Sequence, residues 1–397
     1  MSSALPYTSL FPTMLGEIFS RAVEHVCVRQ SILSIASHIA DHRFKRPLER
    51  SQRLYQISLK TIQKAIQDLK VDEGLAISVF IIAWTENLRG NHESSRNHLR
   101  GLKLILERLE PESVNPTSAG TQLSPLLMLI WRVAIRFDWA CSMFVVDSPI
   151  FPTVSDANEF HRRWIERIAV SGRDAVEWAM AAFTLENLIH KACHFAAQIR
   201  ILRMRGNILD WELRVGPAIS SLAYETHNWK KIPIIKRADA AELAAQKELP
   251  SDGNIPQFLD YPPLQIRDPF YANLLNAWGA LSIYISFIVD PYFGCPNHQR
   301  FTLAVEICRT LAALGEDVAH SKVSKLWALF FAGAAFGGYH MNPRETMWVV
   351  QRIDEIAMKY PIANETMNVW ARPGNIFDQL IEMRALIRSR EKFNKSR

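Results

Sequence analysis

Apolar residues recur along this chain at intervals of three and four, and stretch after stretch reads as helix. Leu15 to Val26 and Ser31 to Ala40 carry this spacing. Leu48 to Leu69 follows Pro47, a residue suited to a helix start; Tyr55, Leu59, Ile62, Ile66 and Leu69 form its expected buried stripe, with Lys60, Lys64 and Gln67 outside it. Leu75 to Leu88 is nearly all apolar, which predicts a helix enclosed on every side. Arg89-Gly90-Asn91 breaks it, and Ser94 or Ser95 is placed to cap the next one. There Leu99, Leu102, Ile105, Leu106 and Leu109 line one face, and Arg96, Arg100, Lys103 and Glu107 the other. A loop rich in Pro, Ser and Thr is expected from Pro111 to Ser124, and Leu126 to Phe144 resumes the helical pattern. Alternating strand patterns between turn signals are largely missing. The expected fold is all-α, a large multi-helix array of packed helical hairpins.

Near the C-terminal end, WALFFAGAAFGGYH (residues 327–340) holds three glycines. A phosphate-binding loop would need Lys and Ser or Thr after its last glycine, and a dinucleotide fingerprint would need a preceding strand. Here Tyr339 and His340 follow Gly337-Gly338 instead. The stretch therefore reads as a buried helix, Trp327 to Ala335, in which Gly333 lets a neighbouring backbone approach and Gly337-Gly338 end the helix. Asn342-Pro343-Arg344-Glu345 then reads as the next helix start, with Asn as cap, Pro at the first position and Glu reaching back; Val349, Ile353 and Ile356 continue its buried face.

The longest poorly periodic stretch, Asp239 to Asp268, divides the chain into an N-terminal arm (residues 1–14), a helical part (15–238), an irregular linker (239–268) and a second helical part with a basic tail (269–397). That division allows two subdomains. No internal repeat of fixed period is present, which disfavours a regular solenoid.

Composition alters this picture little. Hydrophobic residues are 48% and charged residues 22% of the 397, as in ordinary globular proteins. Forty-six Lys and Arg against 40 Asp and Glu leave a net charge of +6 that is spread along the chain, so an acidic partner is permitted rather than demanded. Basic runs at His42 to Lys45-Arg46, Trp229-Lys230-Lys231 through Lys236-Arg237, and Arg388 to Arg397 read first as solvated ends, and support nuclear entry weakly. The five cysteines stand singly, which predicts reduced thiols in cytosol or nucleus. The N-terminus has neither the basic nor the apolar region of a secretion signal, and the longest apolar run, from Leu274, falls short of a membrane span.

Four stretches, in order, carry a resemblance. VRQSILSIASHIADH with QRLYQISLKTIQKAI comes first. AWTENLRGNHESSRNHLRGLKLIL contains Glu86, Gly90, His98 and Gly101 at the spacing E-x-x-x-G … H-L-x-G, although Leu102 stands where Ala is usual. AIRFDWACSMFVVDSPIFP carries Arg136 and Asp138. WALFFAGAAFGG…NPRETMWVVQRIDEI carries Trp327, Gly333 and Arg344. Together they resemble the fungal-specific transcription factor regulatory domain, the all-helical region that follows a binuclear zinc cluster in fungal regulators. The resemblance spans Leu15 to Trp370. It implies a transcription regulator of the nucleus (and also of the cytoplasm), working through protein partners such as a zinc-cluster transcription factor, or through a small-molecule effector. The signature residues Glu86, Gly90, His98, Gly101, Arg136, Asp138, Trp327, Gly333 and Arg344 are then structural. The family's DNA reader needs six clustered cysteines, and no such segment occurs among the five scattered ones. Either the product lacks that reader, or the sequence is a piece of a longer one.

Competing chemistry finds less support. His190 and His194 in HKACH stand one turn apart with Cys193 between them, but Lys191 occupies the place where a catalytic zinc motif has Glu; hydrogen-bonded histidines are the simpler reading. His98 borders the apolar face of its helix. Arg136 and Asp138 lie two apart and cannot face each other, so each is expected to be buried and to find a partner beyond its own helix. Glu159, Glu166 and Asp174 read as solvated faces. No GxSxG, paired carboxylates or Cys–His–Asn order stands out. The chain is therefore expected to be a non-catalytic regulator without cofactor or metal, with only weak direct DNA binding and no membrane association. The alternative is an all-α enzyme or accessory protein of fungal secondary metabolism.

Overall fold

A computed structural model of the chain describes residues 16–109, 124–145, 148–151, 173–204, 213, 215–247, 257–264, 266, 268–289, 297–314, 322–336 and 342–359. Helix makes up 86% of these residues, in 13 helices, with no strand among them. The expected arm, the loop from Pro111, Glu159, Glu166, Gly337-Gly338 and the basic tail lie outside the described residues.

The chain divides into two compact units, residues 1–142 with 149–171, and residues 143–148 with 172–397. In the first unit α1 (residues 16–24) leads into α2 (Val26–Arg43), α3 (Glu49–Gln67), α4 (Glu73–Leu88), α5 (His92–Leu109) and α6 (Pro125–Val145), which runs into the second unit at its last turn. Helix α4 is the centre. Asp72 caps it, its Oδ1 accepting from the Leu75 amide at 2.8 Å. Residues on all its sides are buried, and α2 and α5 pack along it. The hydroxyls inside this apolar helix bond within it: Ser78 donates to the Gly74 carbonyl (2.6 Å) and Thr85 to Ile81 (2.8 Å), so neither remains an orphan in the core.

The turn from α4 to α5 shows why a glycine stands there. Gly90 has φ +78°, a left-handed conformation. The Gly90 amide donates to the Asn87 carbonyl (3.0 Å) and the Asn91 amide to Glu86 (2.9 Å), the paired bonds of a Schellman end. Helix α5 starts at His92, earlier than the expected cap, and Ser95 lies within it, donating to the Ala83 carbonyl of α4 at 2.8 Å.

The expected stripe of α3 faces the core at Tyr55, Leu59 and Ile62 and stops there. Ile62 is buried, but Ile66 is 50% and Leu69 75% exposed. Small polar residues turn inward as well: Ser58 meets Ser31 of α2 at 2.8 Å, and Ser51, two turns earlier on α3, is buried too. A helix–helix contact accepts serines whose hydroxyls pair with each other, a preference that apolar periodicity does not register.

The second unit holds α7 (Arg173–Met204), α8 (Gly216–Trp229), α9 (Pro233–Lys247), α10 (Pro269–Val289), α11 (Asn297–Ala313), α12 (Lys322–Ala335) and α13 (Pro343–Lys359). Three of these open on proline, whose missing N–H costs nothing in a first turn. Helix α10 packs against α7, α8, α11 and α12. Tryptophans tie the layers through their polar edge: Trp229 donates Nε1–H to the Ala181 carbonyl and Trp278 to Thr226, each at 2.8 Å. Helices α12 and α13 form the expected hairpin, with Val349 and Ile353 buried and Ile356 partly so. Among the described residues no helix is long and apolar enough to cross a membrane.

The expected linker from Asp239 to Asp268 is corrected in two ways. Its first part is helix α9, which runs to Lys247 because Ala240, Ala241, Leu243, Ala244 and Ala245 are strong helix formers. Moreover, both flanks of the stretch lie within the second unit; the division of the chain falls between residues 142 and 172. Helix α9 is bound to the start of α10 by Glu242, which accepts from the Asp268 amide at 2.9 Å, and by Asp239, which accepts from the Tyr271 hydroxyl.

Two glycines of the resemblance should respond to alanine in opposite directions. At Gly90 a Cβ meets no atom, but the left-handed backbone disfavours it, so Gly90→Ala should destabilise the chain by about 1 kcal/mol. Gly101 lies inside α5 with open space where a Cβ would go, and Gly101→Ala should stabilise by up to about 1 kcal/mol. Urea denaturation of both variants reads the two signs; equal losses would refute this account of Gly101.

Candidate functional site

Glu86 and Asp138, singled out in the sequence of the first unit, belong to a run of polar contacts that link α3 to α4, α4 to α6 and α5 to α6. At its centre is Asp138 on α6, with no exposure to solvent. Its Oδ2 accepts two backbone N–H bonds, from Ile150 (2.6 Å) and Phe151 (3.0 Å), so the side chain holds the segment that follows its own helix. Phe151, placed by those bonds, is itself buried in the core. Asp138 Oδ1 faces the guanidinium of Arg96 on α5 at 3.8 Å, and that guanidinium donates to Ser142 Oγ at 2.9 Å.

Arg96 therefore does not belong to the solvated face assigned to it above. It is buried, together with His92, Ser95, Leu99, Leu102 and Leu106. Its position three residues before Leu99 places it on the apolar face, and that register was the available signal. A buried carboxylate needs a buried cation, and α5 supplies one. Arg136, expected to be buried, is only partly so; the deeply buried arginine of α6 is Arg132, one turn earlier.

One turn beyond Asp138, the Cys141 thiol donates to Asn87 Oδ1 at 3.7 Å, and the same oxygen lies 2.9 Å from His92 Nδ1. Burial pushes the thiol up to about 12, and the neighbouring carboxylate adds to this, so Cys141 stays protonated and able to donate. Glu86, buried at the end of α4, contacts Arg89 at 3.3 Å and accepts from the Tyr55 hydroxyl of α3. The Arg89 guanidinium lies over the Tyr55 ring, 4.4 Å from its centre. Burial and the bond to Glu86 hold Tyr55 well above the usual phenol range. Burial lowers His98, and Glu86 partly offsets this, so the half-buried imidazole is neutral at pH 7.

The remaining signature residues lie in the second unit. Trp327 is buried edge-on to Phe331 at 5.5 Å, and Gly333 is buried in the same helix. Arg344 is 65% exposed and pairs at 2.7 Å with Asp260, itself 81% exposed, an arrangement that adds little stability. Glu345 does not reach back to cap α13; it accepts from Tyr261 at 3.3 Å, while Asn342 donates to the Phe336 carbonyl at the end of α12 (2.7 Å). Of the histidine pair, His190 is buried and His194 meets Gln198 at 2.8 Å, with Lys191 turned to Glu225 of α8. Among the described residues no three His, Cys, Asp or Glu side chains converge as metal ligands.

This geometry defines a class: an all-α array whose best-organised polar residues bond backbone and one another inside the core. A model of the fungal specific transcription factor domain matches residues 3–213, which include the whole polar seam. The chain belongs to that family. No curated protein and no solved structure matches it.

Asp138 allows a pH test. Burial raises its carboxyl to about 6, against the lowering effects of the Phe151 amide, Arg96 and the Ile150 amide. The folded state thus holds this proton more tightly than the unfolded chain does. Its contribution to stability is fullest below pH 4 and is lost as pH rises through 6. Asp138→Asn keeps an acceptor for the two amides and removes the titration. The stability of the parent relative to this variant should fall by roughly 3 kcal/mol between pH 4 and pH 7, read by denaturant unfolding at each pH. Asp138→Ala, which strands Arg96 and both amides, should cost about 3 kcal/mol or more at pH 7. A parent that gains stability relative to the Asn variant as pH rises from 4 to 7 would contradict the assignment.

Proposed function

We propose that the chain is a non-catalytic transcription regulator of the fungal type that acts in the nucleus through protein partners, among them a related regulator carrying a zinc cluster. The observation that carries this reading is how the signature residues are used. Asp138 holds two backbone amides and faces an arginine, Glu86 holds Tyr55 and Arg89, and Gly90 makes the turn from α4 to α5. Side chains so engaged serve a scaffold rather than a reaction, and a scaffold's function lies in its surfaces. Glu86, Gly90, His98, Arg136, Asp138, Trp327, Gly333 and Arg344 are on this reading structural. Gly101, with open space around it, lacks a packing reason of its own.

Sequence-specific DNA readout needs a presented element whose side chains reach base edges, with cations beside it. Arg96 and Arg132, two of the cations in the matched region, are committed to the core, and the apolar faces of α2, α4, α5 and α6 contribute to a core as well. The 397-residue chain should bind duplex DNA weakly, without sequence preference, and with an affinity that falls steeply as salt rises. It should also co-purify with a zinc-cluster regulator when the two are co-expressed, while carrying no stoichiometric zinc alone. Gel shifts across a salt series, metal analysis of the same sample and a co-purification assay measure these outcomes. Tight, salt-resistant binding to one DNA sequence would overturn the reading.

A further inference from the structure

Helix α3 turns Ser51, Tyr55, Ser58 and Ile62 inward and carries Arg50, Arg53, Ile57, Lys60 and Lys64 on its opposite face, all five exposed. Their spacing alternates three and four residues, so they form one row about 21 Å long. Gln52, Gln56, Gln63 and Gln67 are exposed on the same helix, and from Arg50 to Gln67 the chain has no Asp or Glu.

Packing does not account for this row. Arg50 with Arg53, and Lys60 with Lys64, are like-charge pairs one turn apart, which destabilise a helix. Arg50 also stands in the first turn, where the helix dipole disfavours a cation. Elsewhere the chain pairs its surface cations: Lys103 with Glu107, Lys191 with Glu225, Arg309 with Glu306 and Arg352 with Glu355. Among the described residues no carboxylate pairs with the four cations of α3. A face kept cationic at this cost to its own helix is complementary to an anionic partner.

The middle of the row argues for protein over nucleic acid. Ile57 offers a phosphate nothing. The one aromatic residue of the helix, Tyr55, is engaged by Glu86 and Arg89 rather than presented for base stacking. An alternation of three and four residues keeps a row facing a second helix along its length. Carboxylates on that helix meet the cations, and an apolar side chain between them covers Ile57.

We propose that the outer face of α3 docks an acidic amphipathic helix of a protein partner, with Asp or Glu against Arg50, Arg53, Lys60 and Lys64 and a bulky apolar residue against Ile57. This rests on the reading that the chain works through protein partners. The assay below uses no zinc-cluster regulator, so peptide binding and co-purification can each fail alone.

The full-length chain is titrated with a fluorescent helical peptide of the pattern E-x-x-E-x-x-x-L-x-x-E-x-x-x-E, with Ala or Gln at x, and followed by anisotropy. Saturable binding is expected, weaker as salt rises. It should fall about tenfold for the Arg53→Gln/Lys60→Gln protein, and several-fold for either the Ile57→Ser protein or a peptide with Ala in place of Leu. The Lys231→Gln/Lys236→Gln protein, which loses the same charge from an exposed site of the second unit, should bind like the parent. Arg53→Gln/Lys60→Gln should also unfold at the parent's urea midpoint or above it, because it relieves the like-charge pairs. No binding, or equal weakening by the two double substitutions, overturns the proposal, and so does a lower midpoint, which would make the row structural. Duplex DNA that displaces the peptide and is itself indifferent to Ile57→Ser would assign the face to nucleic acid and overturn it as well. A concentration-dependent dimer of the parent that Arg53→Gln/Lys60→Gln abolishes would do the same in favour of a second copy of this chain.

Discussion

Helix α4 has buried residues at 14 of its 16 positions, and a helix without a polar face has to be enclosed on every side. That requirement organises the first unit. Helices α2 and α5 lie along α4, and Leu126, Leu127, Ile130, Trp131, Ala134 and Ile135 of α6 belong to the same apolar cluster. Helix α10 does the same for the second unit, with Ala280, Leu281, Ile283, Tyr284 and Ile285 all buried and four helices packed against it.

Enclosing a central helix so fully creates a second problem, because its ends and connections carry polar groups into the core. The seam of Glu86, Asn87, His92, Ser95, Arg96, Asp138, Cys141 and Ser142 answers it. Each bond satisfies a group that would otherwise be an orphan, and each also specifies a register: Ser95 fixes α5 on α4, Arg96 fixes α5 on α6, and Asp138 draws the following segment back so that Phe151 enters the core. The carboxylate is expensive to bury, as its raised proton affinity records, and it is retained where geometry rather than stability is the requirement.

Much of this was legible in the chain. Helical spacing located α2 to α6, α12 and α13 to within a few residues because their apolar faces are long and regular, and Gly90 was recognisable as a break. Other features depended on partners distant in sequence. Arg96 has the look of a surface arginine until Asp138, 42 positions later, faces it across the core. Ser31 and Ser58 look like solvated positions until α2 and α3 bring their hydroxyls within 2.8 Å of each other, away from solvent. Asp239 to Asp268 reads as a linker because prolines interrupt its period, yet α9 continues to Lys247, and its side chains with those of α11 and α13 bind the irregular residues beyond it.

The sequence by itself determined the all-α class, the order of most helices and the family, since all three rest on local periodicity and on motifs read within a few turns. Tertiary structure decided which charges are buried, how far the inward face of α3 extends, where the chain divides into units and what holds residues 257–264. The physical reason is that burial is a property of pairs of surfaces. A residue's own neighbours fix its place on a helix, but only the helix packed against it decides whether that place is core, seam or solvent.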